Sequence, residues 1–303
     1  MRVLVTGAEG FVGRHMCRAL LDEGHDLVTV DLKNGPAQDA MRIFQSDPFT
    51  GPRFDVVVHL AALVGGRKTI EGSPATLAAR DLALDAAMFE WALRQPAQRR
   101  PRIVYFSSSA AYPTSLQMVG TYKLGEHDID LDDPGTPDMS YGWTKLTGER
   151  LAEWARGELK TWVFRPFSGY GSDQDLDYPF PSYIRRGLLR MDPFDVWGDG
   201  RQVRDFVHIT DVVQSVVAVM EADPDAEAGP WNIGTGRPTS FNELAELVVA
   251  SVGGGYRPEI RHLPAEPVGP RFRCADASKL LRVYTPKVEL ECGIDMAMLE
   301  AAR

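Results

Sequence analysis

The first thirteen residues constrain this chain more than any other segment. Val3-Leu4-Val5 is a short apolar run, and it passes directly into Thr6-Gly7-Ala8-Glu9-Gly10-Phe11-Val12-Gly13. An amphipathic stretch, Val12–Glu23, follows. Strand, glycine turn and helix in that order form a phosphate-binding unit. Gly7 serves the tight turn, Gly10 lets backbone N–H groups approach a pyrophosphate, and Gly13 lets the helix pack closely on the strand. Phe11 and Val12 ride on the first helical turn, whose positive dipole end faces the phosphates. An ordinary glycine-rich turn is the competing explanation, and the flanking strand and helix argue against it. The unit predicts an α/β chain with a Rossmann-type doubly wound parallel sheet.

The rest of the first half repeats the alternation. Leu27–Val30, Val56–Leu60 and Ile103–Phe106 are further strand-like runs, and Ala75–Arg94 is a second amphipathic stretch. Such alternation predicts a parallel sheet covered on both faces. Arg42–Gln45 is a weak additional strand candidate. Beyond Phe167 prolines and glycines cluster, and helical patterns return at Ile209–Glu221 and Phe241–Val252. The expected division is a dinucleotide-binding domain over 1–167 and a smaller substrate-binding lobe over 168–303, with some later segments crossing back to the core.

Composition narrows the class of partner. The chain has 303 residues, 44% hydrophobic, enough for a substantial core. The net charge of −9 argues against nucleic acid or anionic membrane as partners, so an anionic substrate must be met by a few local arginines. No stretch has the length of a membrane span. Cys17, Cys274 and Cys292 have no metal-site spacing and are too few for a disulfide framework, so no metal is expected and a reducing cytoplasm is the simplest setting.

Asp31 ends the run Leu27–Val30. A carboxylate there accepts hydrogen bonds from both adenosine ribose hydroxyls and repels a 2′-phosphate, which favours NAD over NADP. Lys33 lies close enough to blur that preference. Asp47 is a candidate for the adenine amino group and equally a turn-former before Pro48.

Tyr141 and Lys145 lie four apart in Ser140-Tyr141-Gly142-Trp143-Thr144-Lys145, on one face of a predicted helix. A phenol has an unperturbed pKa of about 10 and is a poor base at neutral pH. A nearby ammonium and the positive ring of an oxidised nicotinamide favour the phenolate. Tyr141 then takes a proton from a sugar hydroxyl as hydride leaves, while Lys145 also holds the nicotinamide ribose. The run Ile103–Phe106 ends in Ser107-Ser108-Ser109, at a strand carboxyl end where open α/β sheets bind ligands.

With these pieces in place, the chain resembles an extended short-chain dehydrogenase/reductase of the nucleotide-sugar epimerase/dehydratase group. The matching segments are Thr6–Gly13, His59-Leu60-Ala61-Ala62, Ser108 four before Tyr112, Tyr141 with Lys145, Arg165-Pro166-Phe167, Gly198-Asp199-Gly200, Arg204-Asp205-Phe206, Asp211-Val212-Val213 and Asn232-Ile233-Gly234. The likeness implies Ser108, Tyr141 and Lys145 as the catalytic triad. It implies Leu60, Ala61 and Ala62 along the cofactor, and Ser109 and Ser168 on the substrate. Arg204 stands where the family places a phosphate-binding arginine, and Arg271 and Arg273 where a second is expected. Arg67, after Gly65-Gly66, is a weaker candidate. Members usually pair as homodimers through the helices bearing Tyr141 and Ala75–Arg94. His59 and His208 are expected to be structural, and Trp197 and Phe180 to pack rather than stack on a base.

Within that group, Leu60–Gly66, Val196–Gln202 and Ile260–Pro264 with Arg271–Arg273 look most like the GDP-mannose 3,5-epimerases. Those enzymes carry a proton-transferring cysteine where this chain has Ala110, the decarboxylases carry Glu there, and the 4,6-dehydratases carry Asp-Glu at Ser109 and Ala110. Alanine transfers no proton. The chemistry left needs only hydride transfer and Tyr141: epimerisation at C4 through a keto sugar, or plain oxidation or reduction. A 3,5-epimerase-like activity is an alternative. A non-catalytic dinucleotide sensor is a more distant one, since such proteins generally lose the tyrosine or lysine.

Overall fold

In β1 (Arg2–Thr6), Val3 and Val5 pack on one side of the sheet and Leu4 on the other, all fully buried. The same division holds in β3 (Val56–His59), with Val57 opposite Val56 and Val58. Strands apolar on both faces need a layer of helix on each side. The computed structural model, which describes residues 1–49, 51–118 and 120–301, supplies both layers. On one side lie α1 (Phe11–Asp22) and α7 (Ile209–Ala222), through Met16, Leu20, Val212 and Val216. On the other lie α2 (Ala40–Ser46), α4 (Pro74–Arg94) and α5 (Met139–Trp154), through Phe44, Met88, Trp91 and Ala152. Burying one such Leu or Phe side chain stabilises the fold by about 1.5–3 kcal/mol.

The sheet has six parallel strands. Its order is β10 (Trp231–Ile233), β5 (Thr161–Pro166), β4 (Arg102–Phe106), β3, β1 and β2 (Asp26–Val30). The chain moves outward from β1 to β2, then crosses back to β3 on the other side of β1. That reversal is the topological switch point at which such sheets bind dinucleotides. Because α7 and β10 return to the core after β9 (Phe206–His208), residues beyond 168 are divided between core and lobe.

The lobe has its own core of Tyr183, Phe194, Leu244, Val248 and Ile294. It is built from α6 (Pro179–Leu188), α8 (Phe241–Val252) and α9 (Leu290–Ala301), with β7 (Phe194–Trp197) paired to β12 (Ile260–Leu263). A small sheet places β8 (Val203–Arg204) between β11 (Thr239–Ser240) and β13 (Phe272–Arg273), while β6 (Ser168–Tyr170) pairs with β9.

One expected element is different. Arg42–Gln45 is helical, inside α2, not a strand. Asp39 caps that helix by accepting from Met41 N at 3.0 Å. Ala40, Ile43 and Phe44 recur at helical spacing and are buried. The run was too short for its apolar pattern to separate helix from strand.

Candidate active site

The cofactor loop is shaped by contacts only glycine permits. Gly7 has φ +71°, and a Cβ on Gly13 would lie 2.0 Å from the Gly7 carbonyl oxygen. The loop therefore packs tightly between β1 and α1, with no room for a side chain at Gly7 or Gly13. Asp31 is 7% exposed, and its two carboxylate oxygens accept from Lys33 N at 2.8 Å and Glu9 N at 2.9 Å. It thus ties the loop to the end of β2. Lys33 Nζ donates to the Glu9 carbonyl at 3.0 Å, so its charge is folded back on the loop. Leu60 and Ala61 run alongside, bonded through N–H to Thr6 O and Thr6 Oγ1 at 3.1 and 3.3 Å; Ala62 follows them, half-buried. These residues fit NAD. Asp47 is used otherwise: in a left-handed conformation at the end of α2, it accepts from Trp91 Nε1 at 2.9 Å and Gln95 Nε2 at 3.2 Å. Its contacts are those of an anchor between α2 and α4.

Two strands from the cofactor loop, the end of β4 meets α5. Gly142 allows the approach, since a Cβ there would lie 2.3 Å from the Ala110 carbonyl oxygen. Tyr141 and Lys145 fall on the same side of α5, with Lys145 Nζ 5.8 Å from the Tyr141 ring centroid. The Ser108 hydroxyl lies close to the Tyr141 phenol. Ser108 Oγ also accepts from Ala110 N at 3.1 Å. Burial raises the Tyr141 phenol above its ordinary range, while Lys145 and Ser108 pull it down and Asp81 and Asp85 oppose them. Those two carboxylates, on α4, face Lys145 from behind. Burial disfavours the Lys145 ammonium, but Asp85, Tyr141 and Asp81 outweigh it and raise its pKa above the ordinary lysine value.

Asp85 is itself held in a buried chain. Its Oδ2 accepts from Tyr105 Oη at 2.6 Å, its Oδ1 lies 3.2 Å from His59 Nε2, and His59 Nδ1 lies 2.9 Å from Thr6 Oγ1. Helix α4 and strand β4 are therefore joined to the cofactor strand β1 by side chains. His59 is structural, as expected, and so is His208, which caps α7 by accepting from Thr210 N at 3.3 Å.

Three arginines gather beside the first turn of α5. Arg273 donates from Nη2 to Asp138 Oδ2 at 2.7 Å and from Nε to Gln117 at 2.5 Å. Arg67, in α3 (Arg67–Gly72), donates to the same Asp138 oxygen at 2.7 Å and to Glu71 at 2.9 Å. Arg204 donates only to backbone carbonyls, those of Val203, Pro270 and Val268 at 2.7, 2.8 and 3.0 Å. Burial and the like charges of Arg273 and Arg67 lower its pKa to about 9. A half-buried cation among cations favours binding of an anion. Arg271 does not share the cluster: it is exposed, while Arg273 two residues on is buried.

A cavity of about 250 Å³ opens next to this cluster. Arg67, Tyr178, Arg186, Trp197 and Phe241 are among its lining. Lys68 Nζ sits 4.6 Å over the Trp197 ring, while Phe180 is buried in the lobe's core. Ser109 is buried beside Ser108, and Ser168 is half-buried with its N–H bonded to Asp205 O at 2.9 Å. Asp205 accepts from Thr235 N, Gly236 N and Ala275 N, which pins β8 beside β13 and so sets Arg204 next to Arg273.

A glycine cradle at the switch point, with a tyrosine, a lysine and a serine gathered two strands further on, defines a dinucleotide-dependent enzyme of the short-chain dehydrogenase/reductase class. The comparisons with known proteins narrow the class. The model of the NAD dependent epimerase/dehydratase family matches residues 3–234, and the chain belongs to that family. It uses NAD. GDP-mannose 3,5-epimerase 1 of Oryza sativa subsp. indica is 27% identical over 316 residues, covering 97% of this chain and 80% of that protein. The uncharacterized UDP-glucose epimerase YtcB of Bacillus subtilis (strain 168) is 28% identical over 320 residues, covering 97% and 96%. The structure of UDP-glucose 4-epimerase from Thermotoga maritima with UDP-glucose superimposes with a TM-score of 0.81 at 25% identity, covering 100% of this chain and 99% of that one.

Proposed function

We propose that this enzyme interconverts the C4 epimers of a nucleotide-diphosphate sugar through a transient 4-keto sugar. The observation that carries the proposal is the set of groups around Tyr141. Ser108 and Lys145 flank the phenol, and the nearby position that supplies acid/base groups elsewhere in the group is Ala110, buried and unable to transfer a proton. Ser108 orients the sugar hydroxyl by hydrogen bonding, and Tyr141 Oη takes that hydroxyl's proton and later returns it. Lys145, held charged by Asp85 and Asp81, favours the phenolate and binds the nicotinamide ribose. NAD, when bound, supplies the site that accepts hydride from the sugar carbon and gives it back. Arg67, Arg204 and Arg273 take the diphosphate, because guanidinium forks match planar phosphate oxygens and the site holds more cationic than anionic groups.

No helix among the described residues is long and apolar enough to cross a membrane. We infer that two copies pair through α4 and α5, which pack side by side and leave Trp143 and Trp154 in water. Cys17, Cys274 and Cys292 are free thiols, in keeping with a reducing cytoplasm.

The test is a set of UDP-, GDP- and dTDP-hexoses given to the NAD-loaded enzyme, with products identified by NMR. One sugar should equilibrate with its C4 epimer without net reduction of NAD. Tyr141→Phe should lower kcat by about 10²–10⁴-fold while retaining NAD. Stoichiometric oxidation or reduction of the cofactor would show a dehydrogenase or reductase instead.

A further inference from the structure

Asp138 occupies the position that caps α5, where aspartate ordinarily accepts a hydrogen bond from an N–H of the first turn. Its carboxylate makes no such bond. It is turned away, and one oxygen, Oδ2, accepts from Arg67 Nη2 and Arg273 Nη2, each at 2.7 Å. The two arginines come from different walls of the cleft: α3 follows the nucleotide-binding strand β3, and β13 belongs to the lobe. The backbone of Asp138 is equally committed. Its N–H donates to the Ala110 carbonyl at 2.9 Å, and its own carbonyl accepts from Gly142 N at 3.0 Å. A single residue thus joins the strand end bearing Ser108, the first turn of the Tyr141 helix and two of the three arginines.

We propose that Asp138 is a positioning residue for the sugar diphosphate: its carboxylate draws Arg67 and Arg273 together into one two-armed anion clamp and fixes that clamp to the helix bearing Tyr141. The proposal rests on the diphosphate reading above. Without an anion between them the two guanidinium groups repel one another, and both repel Arg204. With Asp138 in place their Nη2 atoms can stand no further apart than two hydrogen bonds. Each fork is also held at a second point, Arg273 by Gln117 and Arg67 by Glu71. Two side chains held at two points each are set in direction before the ligand arrives, which removes an ordering cost from binding. Because Asp138 is three residues from Tyr141, the seat of the diphosphate and the position of the phenol are fixed together.

The proposal opposes another use of the same contact, in which Asp138 is a stand-in anion that substrate must displace. Removing the charge has opposite effects in the two cases. The experiment compares wild type and Asp138→Asn, both NAD-loaded, by calorimetric titration with UDP, GDP and dTDP and with the matching monophosphates. Asparagine keeps the size of the side chain and still offers an oxygen to one guanidinium, so the variant should fold with a lowered melting temperature and NAD affinity near wild type. If the variant does not fold, Asp138→Ser replaces it: serine removes the carboxylate, and its short hydroxyl can cap the first turn of α5, which the aspartate leaves uncapped. Wild type should prefer at least one diphosphate over its monophosphate. The variant should bind that diphosphate roughly tenfold more weakly, with monophosphate affinity unchanged. With substrate, KM should rise more than kcat falls. Equal or tighter diphosphate binding by the folded variant overturns the positioning role while leaving the clamp intact. Failure of wild type to prefer any diphosphate overturns the clamp itself, and the proposal with it.

Discussion

Asp85 lies fully buried behind Lys145, where an isolated carboxylate would be costly. Burial pushes its pKa up, but Lys145, His59 and Tyr105 outweigh burial and hold it below the ordinary carboxylate value. A depressed pKa means the folded state prefers the charged form, so Asp85 stabilises the fold above the unfolded carboxyl value of about 3.9. That contribution is lost as pH falls through the lower folded value. Asp85→Asn should therefore cost about 3 kcal/mol near neutrality, a deficit that shrinks below about pH 4. Denaturant unfolding of both proteins across that range measures it; a deficit independent of pH would show that Asp85 acts by packing alone. The sequence did not disclose this residue, and the reason is physical. Asp81 and Asp85 are one turn apart in Ala75–Arg94, where charged residues at helical spacing signify a solvated face. Gly7, Gly10, Gly13, Tyr141 and Lys145 were legible because their chemistry depends on neighbours in the chain. Asp138 acts through residues from distant segments, and no local spacing announces that.

At the level of elements, β1 to β4 and the helices α1, α4, α7 and α8 were legible to within a residue or two, while β5, β10 and the lobe's α6 and α9 were not marked as elements in the sequence. Periodicity carries over many residues in α4, and both-face burial makes β1 and β3 continuously apolar. The failure at α2 came where seven residues gave too little pattern. A different ambiguity concerned α4 and α5, whose apolar residues could serve either core or partner. The structure divides them: Met88, Phe89 and Trp91 are buried, whereas Trp154 on α5 is 73% exposed and Trp143 is 47% exposed. Two large aromatics in water on one helix are the observation on which the proposed pairing rests. Trp154→Lys should shift the species seen by light scattering from dimer toward monomer without weakening NAD binding. A dimer that persists unchanged would place the interface elsewhere.

Across the whole molecule, the sheet's switch point holds the cofactor loop, the end of β4 and α5 hold the proton-transfer groups, and β8 with β13 brings arginines from the lobe. Two like-charged arginines meet at Asp138, so the lobe and the nucleotide-binding core close on the same carboxylate. This arrangement brings one phenol, one ammonium and one hydroxyl together, with Ala110 beside them. It supports moving hydride off a sugar carbon and back, and it lacks a group at Ala110 to take a proton from carbon. The direct measurement is turnover in heavy water, with the sugar carbons of the product examined by NMR. A C4 epimerase built in this way returns the original hydrogen, so the product should be the C4 epimer with no deuterium on its ring carbons. Deuterium at C3 or C5 would contradict the account, because it would require a second acid/base that removes a carbon-bound proton.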